Sequence, residues 1–209
     1  MQTTLIYVHD PMCSWCFAFS TTYRSLRDQL PAGITVTRLL GGLAPDCDEP
    51  MAQSTRAMVQ KNWRRIEQTI PGVRFNYDFW TRCQPRRATY PACRAVIAAR
   101  NQGEAFDALM TQHIQHAYYQ QARNPSEEST LIALAAELGL DVSAFCNDLN
   151  ATATQQQLLD EINRARSLGV NGFPGLVLQH GGRYQLIRTD YVEAQPMLNQ
   201  IKAILDYAY

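Results

Sequence analysis

The chain has 209 residues, of which 46% are hydrophobic and 18% charged, a composition typical of a globular protein with a sizeable core. Its 19 lysine and arginine residues balance 19 acidic residues, so the overall charge provides no attraction to nucleic acid or to an anionic membrane. No apolar run approaches the roughly 18 residues of a membrane span, and no basic and apolar leader follows Met1, which predicts a cytoplasmic protein. Removal of a signal peptide before Met1 would leave the same pattern.

A first strand is predicted from Thr3 to Val8, because this β-branched and aromatic run suits burial on both faces of a sheet. A helix follows from Ser14 to about Leu30 and ends at Pro31-Ala32-Gly33. Apolar residues then alternate from Ile34 to Leu40, which predicts a second strand. These three elements form a βαβ unit, whose crossover is expected to be right-handed.

From about Met51 to Leu168 the periodicity is helical and no strand is predicted. The stretch from Pro71 to Arg87, rich in aromatic residues and arginine, is expected to be irregular. Three helices are predicted at Pro91 to Arg100, Ala105 to about Tyr119, and Thr152 to Leu168. Gly169 ends the last of them.

Another helix is predicted to begin at the capping residue Asn124, with Pro125 in the first helical position and Glu127 in the third. The apolar residues that follow it return at helical spacing, and Gly139 ends the pattern. This capping pattern is specific enough to place the start of one helix within the helical block.

Beyond Gly169 the chain returns to sheet. Runs from Leu176 to His180 and from Arg183 to Ile187 are separated by two glycines, which predicts a tight hairpin of antiparallel strands. A last helix is expected to start near Asp190, with a glutamate three residues later to complete a capping box. Pro196 is expected to kink this helix or to restart it.

Six cysteines are too few for a disulfide scaffold, and only Cys13 and Cys16 stand at a short regular spacing. The other four are expected to be small, partly buried apolar side chains in a reducing cytosol. These four are Cys47, Cys83, Cys93 and Cys146.

The segment Cys13-Ser14-Trp15-Cys16 lies where the first strand gives way to the first helix. Unpaired N–H groups and the helix dipole favour the thiolate of Cys13, whereas Cys16 lies one turn inside and is shielded. Cys13 is therefore the predicted attacking sulfur, with the Ser14 hydroxyl and the N–H groups of Trp15 and Cys16 as expected donors to it. A pair of buried cysteines, or half of a zinc site, is the alternative interpretation of this motif.

Three features together resemble the DsbA-like thiol-disulfide oxidoreductases: the dithiol after the first strand, the helical block behind it, and Gly169-Val170-Asn171-Gly172-Phe173-Pro174 before the hairpin. The resemblance implies an α/β fold class, a thioredoxin-like fold with an inserted α-helical domain. The thioredoxin-like domain would be split between residues 1–45 and 169–209. Residues 46–168 would form the insertion, with the connecting helix at its end.

The resemblance also implies that Pro174 is a cis-proline whose loop faces the dithiol and contributes to catalysis with Cys13 and Cys16. Phe173, together with Ser14 and Trp15, would then contact substrate. The implied reaction exchanges electrons with protein or small-molecule thiols and disulfides, through a mixed disulfide on Cys13, in the manner of a disulfide oxidoreductase or isomerase.

No metal and no cofactor beyond the dithiol are expected, with glutathione as a candidate co-substrate and the redox partner unidentified. Strongly oxidising members of the family have a histidine between the two cysteines, and this chain has Ser14 and Trp15 there. That departure weakens an expectation of strong oxidising power.

Two alternatives come from other functional classes. Kappa-class glutathione transferases and 2-hydroxychromene-2-carboxylate isomerases share this fold, but usually carry serine at the position of Cys13. A zinc-binding interaction module is the second alternative. It would combine Cys13 and Cys16 with Cys83, Cys93 or His113.

Single residues near the motif also have two interpretations. Asp10 is a turn residue or a proton relay for Cys16, and turn chemistry alone explains Asp-Pro. Arg86 and Arg87 belong to a solvated, ion-paired face or receive an anionic substrate. Trp15 shapes the substrate surface or covers the end of the helix.

Overall fold

The computed structural model describes residues 2–206. Within them, one four-stranded sheet has the order β2-β1-β3-β4. The strands are β1 (Thr3–His9), β2 (Ile34–Leu40), β3 (Gly175–His180) and β4 (Arg183–Ile187). β1 pairs parallel with β2 and antiparallel with β3, and β3 pairs antiparallel with β4. The predicted βαβ unit and hairpin are both confirmed, and the two ends of the chain build the sheet.

The helices fall before, between and after these strands. The first five are α1 (Ser14–Asp28), α2 (Gln53–Thr69), α3 (Phe79–Arg82), α4 (Tyr90–Asn101) and α5 (Ala105–Tyr119). The others are α6 (Glu128–Glu137), α7 (Val142–Leu149), α8 (Thr152–Ser167) and α9 (Gln195–Asp206). The predictions for α4, α5 and α8 are confirmed within one residue at each end. The single turn α3 interrupts the stretch that was expected to be irregular. Within residues 2–206, no helix is both long and apolar enough to cross a membrane.

The predicted start of α6 is wrong by several residues. Asn124 closes a separate turn, in which its side-chain oxygen accepts from the N–H of Ser126 at 3.2 Å and its carbonyl from the N–H of Glu127 at 3.0 Å. Glu127 then adopts extended backbone angles and caps a helix that begins at Glu128. The capping chemistry of Asn124 is present, but it serves the turn because the chain changes direction before the helix begins.

A similar shift occurs at the last helix. The Asp190 carboxylate accepts from the N–H groups of Val192 and Glu193 at 2.8 and 2.9 Å, as a cap would. These bonds close a turn, and α9 begins only at Gln195. Pro196 therefore lies in the first helical turn, where its missing N–H costs nothing.

Helices cover both faces of the sheet. On one face, Leu5 and Tyr7 of β1 pack with residues of α1 and α9 such as Phe19 and Ile201. On the other, Ile6 and Val8 pack with residues that include Ala165 of α8. Every residue of β1 is buried, so this strand is the centre of the fold and its carboxyl end lies among helices on both sides.

A chain of ion pairs joins the edge strand β2 to three helices. Arg38 of β2 pairs with Asp107 of α5, which also binds Arg100 of α4 at 3.2 Å. Arg100 pairs in turn with Glu161 of α8, and the second oxygen of Glu161 accepts the N–H of Leu40 at 2.8 Å. These side chains are largely buried, so the network connects the sheet to the helical block through charges that have little access to water.

Replacing the shared carboxylate tests this connection. Asp107→Asn leaves the mostly buried guanidinium of Arg38 without a counter-ion, while Arg100 keeps Glu161, so the free energy of unfolding is expected to fall by about 3 kcal/mol in urea titrations. The matched control is Asp28→Asn, which breaks the exposed pair with Arg27 and is expected to cost about 0.5 kcal/mol or less. Equal losses in the two variants would contradict a structural role for the network.

Candidate active site

The dithiol lies at the junction of β1 and α1. Cys13 is the N-cap residue of α1, with extended backbone angles, and its N–H donates to the carbonyl of Asp10 at 3.1 Å. The Cys13 side chain therefore lies beside the free N–H groups of the first helical turn. Cys13 retains 6% of its accessible surface and Cys16 none, so Cys16 is the more shielded of the two sulfurs.

The fully buried carboxylate of Asp10 accepts four hydrogen bonds. Its donors are the N–H of Met12 at 2.8 Å, the N–H of Leu43 at 2.7 Å, the Thr89 hydroxyl at 2.6 Å and the Cys93 thiol at 3.6 Å. Burial raises the pKa of Asp10, and the bonds from Leu43, Thr89 and Met12 oppose that rise. The Met12 contact confirms the predicted turn role, and the other donors tie the dithiol loop to the loop after β2 and to the start of α4.

A loop from the other end of the chain closes over Cys13. The Phe173–Pro174 peptide bond is cis. The Cys13 thiol donates a long hydrogen bond of 3.6 Å to the carbonyl oxygen of Phe173. Gly41 makes room for this loop, because a Cβ at that position would lie 2.0 Å from the ring of Phe173. The structure thus brings the dithiol and the Phe173–Pro174 loop together.

A cavity of about 240 Å³ opens beside Cys13, and we call it the front cavity. Its floor carries Cys13, Ser14 and Trp15, and Phe173 forms part of its wall. The rest of the lining comes mainly from α2, from the segment before α4 and from the loop before Pro174, with further residues from α5 and from the chain between β2 and α2. These residues include Met58, Val59, Asn62, Trp63, Arg87, Thr89, Tyr118 and Asn171.

Trp15 covers the end of the helix, and its role in shaping a substrate surface stays a prediction. Its ring contacts Tyr191 edge-on at 5.1 Å and so covers the start of α1, while it also lines the front cavity. The guanidinium carbon of Arg65 lies 5.8 Å from the centre of the same ring. A positive charge therefore lies next to an aromatic surface at the entrance to the dithiol.

The two adjacent arginines differ in their contacts. Arg86 donates to the carbonyl of Ser126 and pairs with Asp48 and Glu127, so it is a structural cross-link. Arg87 lines the front cavity and has no ion pair within residues 2–206. Arg86 lines the front cavity as well, but its charge is already paired with Asp48 and Glu127, so Arg87 is the arginine of this pair whose charge is left for an anion.

Burial raises the pKa of Cys16 well above its ordinary value, and a hydrogen bond with Cys13 adds to that rise. Cys16 is therefore a thiol at rest. None of the expected donors, the Ser14 hydroxyl and the N–H groups of Trp15 and Cys16, bonds to the Cys13 sulfur in the described part of the chain. The contact that the Cys13 sulfur makes is instead the one to the carbonyl oxygen of Phe173.

Several residues around the site carry no sequence signal of their own. Tyr119 donates its hydroxyl to the carbonyl of Met12 at 2.7 Å, and Leu43 and Thr89 hold Asp10. The motif at the dithiol does not specify these partners, because they come from distant segments. A hint exists only for Leu43, which follows the conspicuous pair Gly41-Gly42.

The zinc alternative requires cysteines and histidines to converge. Instead Cys83 donates to the carbonyl of Ala122 at 3.1 Å, and the ring of His113 bonds to the carbonyl of Leu109 at 2.9 Å. Within residues 2–206, no group of three or more His, Cys, Asp or Glu side chains is placed to hold a metal ion.

Comparison with known families agrees with this geometry. The family model described as the DSBA-like thioredoxin domain matches residues 4–198. The chain belongs to this family. The predicted resemblance and the α/β, thioredoxin-like fold class are thereby confirmed, whereas the domain boundaries at residues 45 and 169 stay predictions.

Solved structures from bacteria share the whole fold. A provisionally named protein disulfide isomerase from Nitrosomonas europaea is 27% identical, with a TM-score of 0.85 and full coverage of both chains. The cytosolic disulfide reductase DsbM from Pseudomonas aeruginosa is 28% identical, with a TM-score of 0.78 over 98% of this chain and 100% of that one. DsbM has also been solved with GSH, and that structure is 27% identical, with a TM-score of 0.75 over 97% of this chain and 99% of that one.

More distant relatives indicate the breadth of the fold. The ClpXP adapter protein SpxH from Bacillus subtilis is 20% identical over 80% of this chain and 55% of its own length, so the chain spans about half of that relative. A 2-hydroxychromene-2-carboxylate isomerase is 16% identical, with a TM-score of 0.61 over 98% of this chain and 95% of that one. The likeness to the isomerase concerns the fold alone.

The raised pKa of Asp10 predicts the sign of a pH effect. The folded protein holds the Asp10 proton more tightly than the unfolded chain does. As pH rises from the ordinary aspartate pKa to the raised pKa of Asp10, the free energy of unfolding therefore falls. Asp10→Asn lacks this titration. In urea titrations across this pH range, its free energy of unfolding is therefore expected to increase relative to that of the wild type as pH rises.

The control has the opposite sign. Hydrogen bonds from the N–H groups of Glu193 and Val192 lower the pKa of the exposed Asp190. The ionised carboxylate therefore stabilises the folded protein at pH values above the ordinary aspartate pKa, and this stabilisation is lost as pH falls through the lowered pKa. Asp190→Asn should therefore lose stability relative to wild type as pH rises. Parallel pH slopes for the two variants would refute the assignment for Asp10.

Proposed function

We propose that this protein is a thiol-disulfide oxidoreductase in which the Cys13–Cys16 dithiol exchanges electrons with substrate disulfides or thiols. The observation that carries the proposal is the position of the Cys13 sulfur, which faces the carbonyl of Phe173 at 3.6 Å beside an open cavity. Cys16 is fully buried directly behind it. Such an arrangement exposes one sulfur to substrate and keeps the second in reserve.

The reaction starts when the Cys13 thiolate attacks a substrate disulfide. A bond forms between Cys13 and one substrate sulfur, and the other substrate sulfur leaves as a thiolate with the electron pair of the broken bond. Cys16 then attacks Cys13, forms the internal disulfide and releases the first substrate sulfur. The substrate gains two electrons, which the dithiol loses, and the reverse sequence oxidises a dithiol substrate.

The Phe173–Pro174 loop supports substrate docking in this proposal. The carbonyl of Phe173 points at the reacting sulfur, so an extended substrate segment that pairs with this backbone would bring its own sulfur to Cys13. Pro174 has no N–H and cannot compete for the acceptors of the substrate backbone. Ser14, Trp15 and Phe173 line the cavity as the surface that substrate meets.

Glutathione is the proposed electron donor, and reduction of disulfides in the cytoplasm is the proposed direction. The support is the similarity to DsbM, a protein named as a cytosolic disulfide reductase and solved with GSH. The front cavity has room for a small peptide and carries a cation, Arg87, that suits the carboxylates of glutathione. The presence of both cysteines favours electron exchange over an isomerase or transferase reaction that needs a single activated sulfur.

The deciding experiment equilibrates the protein with mixtures of reduced and oxidised glutathione and measures the Cys13–Cys16 couple by mass after alkylation. A reversible disulfide between these two residues is expected, with a potential low enough for glutathione to reduce it only in part at cytosolic ratios. In the same assay, Cys13→Ser is expected to abolish exchange. Cys16→Ser is expected to accumulate a mixed disulfide with glutathione.

Two outcomes would contradict the proposal. If no disulfide forms between Cys13 and Cys16 at any glutathione ratio, the dithiol is not redox-active. If Cys13→Ser and Cys16→Ser retain equal activity, the roles of the attacking and resolving sulfurs are wrong. Cys146→Ser, which replaces a cysteine on α7, is the matched control and should behave like wild type.

Arg87 gives a separate test of the glutathione site. Arg87→Ala is expected to raise the KM for reduced glutathione by about tenfold, the effect of losing one charge-assisted contact, with kcat nearly unchanged. The control is Arg82→Ala, whose exposed side chain pairs with Asp78 outside the front cavity. A KM that responds equally to both changes would indicate a general charge effect and no specific site.

A further inference from the structure

The two sulfurs of the dithiol face different cavities. Cys13 lines the front cavity, and Cys16 does not. Cys16 instead lines a second space of about 80 Å³, which we call the rear cavity. The rear cavity lies between α1 and α5, and its lining includes Tyr7, Cys16, Ser20, Tyr23, Arg38 and Gln115. Its polar lining and its volume suit water molecules.

Resolution of the mixed disulfide requires Cys16 to lose a proton. At that stage Cys13 is bonded to the substrate, and the substrate occupies the front cavity. Cys16 has no accessible surface, and burial raises its pKa well above the ordinary value. A buried thiolate without a route for its proton would be costly, and the side away from the substrate offers such a route.

Tyr7 lies on that side. It belongs to β1 beneath α1, is 3% exposed, and shares the lining of the rear cavity with Cys16. Its ring stacks on Tyr23 at 4.0 Å, and the guanidinium carbon of Arg38 lies 5.6 Å from its centre. Arg38 is itself held by Asp107 through the ion-pair network. These contacts fix the ring, so its hydroxyl has a constant position relative to the cavity.

A phenol can accept one proton while it donates another. Burial raises the pKa of Tyr7 well above its usual value, and the nearby Cys16 adds to the rise, so Tyr7 stays neutral and does not retain a net charge. Arg24 and Arg27 of α1 line the same space along with Arg38, and the facing residues of α5 are uncharged. Arg27 is paired with Asp28 and Arg38 with Asp107. Within residues 2–206 the charge of Arg24 is therefore the one of these three without an ion pair, and it favours loss of the Cys16 proton.

We propose that Tyr7 and the rear cavity carry the proton of Cys16 to solvent while Cys16 resolves the mixed disulfide, an inference that rests on the proposed function. The Cys16 sulfur forms a bond to Cys13, and the substrate sulfur leaves with the electron pair of the broken bond. The Cys16 proton passes to the Tyr7 hydroxyl as the proton of Tyr7 moves to cavity water. Reduction of the internal disulfide runs the same transfer backwards.

The test uses the full chain with Cys47, Cys83 and Cys146 changed to serine, so that Cys13 and Cys16 are the reactive thiols and Cys93 stays buried. The reduced protein is mixed with dithionitrobenzoate, an aromatic disulfide that releases a coloured thiolate. The first release reports attack by Cys13, and the second reports resolution by Cys16. The rates of both releases are measured in H₂O and in D₂O.

Tyr7→Phe is expected to slow the second release by about tenfold or more, a modest general acid–base contribution, and to leave the first unchanged. Ser20→Leu, which fills part of the rear cavity and leaves Tyr7 in place, is expected to slow the second release as well. Deuterated water should slow the second release of the parent protein by a larger factor than it changes the first.

Tyr191→Phe is the matched control. Burial raises the pKa of Tyr191, and the nearby sulfurs of Cys16 and Cys13 add to that rise. Tyr191 does not line the rear cavity. Its removal is expected to leave both releases unchanged. Circular dichroism verifies that each variant is folded. If Tyr7→Phe does not fold, the rate of the second release in Ser20→Leu tests the proposal.

The outcomes separate the two proposals. A second release of normal rate in both Tyr7→Phe and Ser20→Leu would overturn the relay and leave the redox function intact. An equal slowing by Tyr191→Phe would also overturn it, because the effect would then come from altered packing. If the parent protein shows a first release but no second, the redox function fails, and the relay fails with it.

Discussion

A single buried carboxylate, that of Asp10, holds the dithiol loop to two other parts of the chain. It accepts hydrogen bonds from the N–H groups of Met12 and Leu43 and from the Thr89 hydroxyl. Because buried charge is tolerated only when its oxygens are satisfied, the loop cannot shift without exposing unpaired groups in the sheet and in the helical block. The position of Cys13 between the Phe173 loop and the front cavity depends on these bonds.

The parts of this molecule that sequence reasoning predicted are those with local signals. The buried run of β1, the glycine-linked hairpin and the helices α4, α5 and α8 each follow from a periodicity within one short segment. The dithiol carries its chemistry in four residues. Pairing it with the loop at Phe173 and Pro174 needed a family resemblance, because no local pattern connects segments so far apart.

The parts that were missed depend on tertiary contacts. Asn124 has the chemistry of a helix cap, yet its bonds close a turn because the chain bends before α6. Nothing in the sequence distinguishes Arg86 from Arg87, and only the fold places Glu127 beside the first of them. Tyr7 has the pattern of an ordinary core residue in a strand, and its position on the rear cavity follows from how α1 and α5 pack.

Cys13 and Phe173 are synthesised at different times. They are 160 positions apart, and translation adds about 5–20 residues per second, so the dithiol is made roughly ten to thirty seconds before the loop that encloses it. During that interval the nascent chain presents both thiols without their opposite wall. The surroundings of the Cys13 sulfur are therefore complete only when the last fifth of the chain has been made.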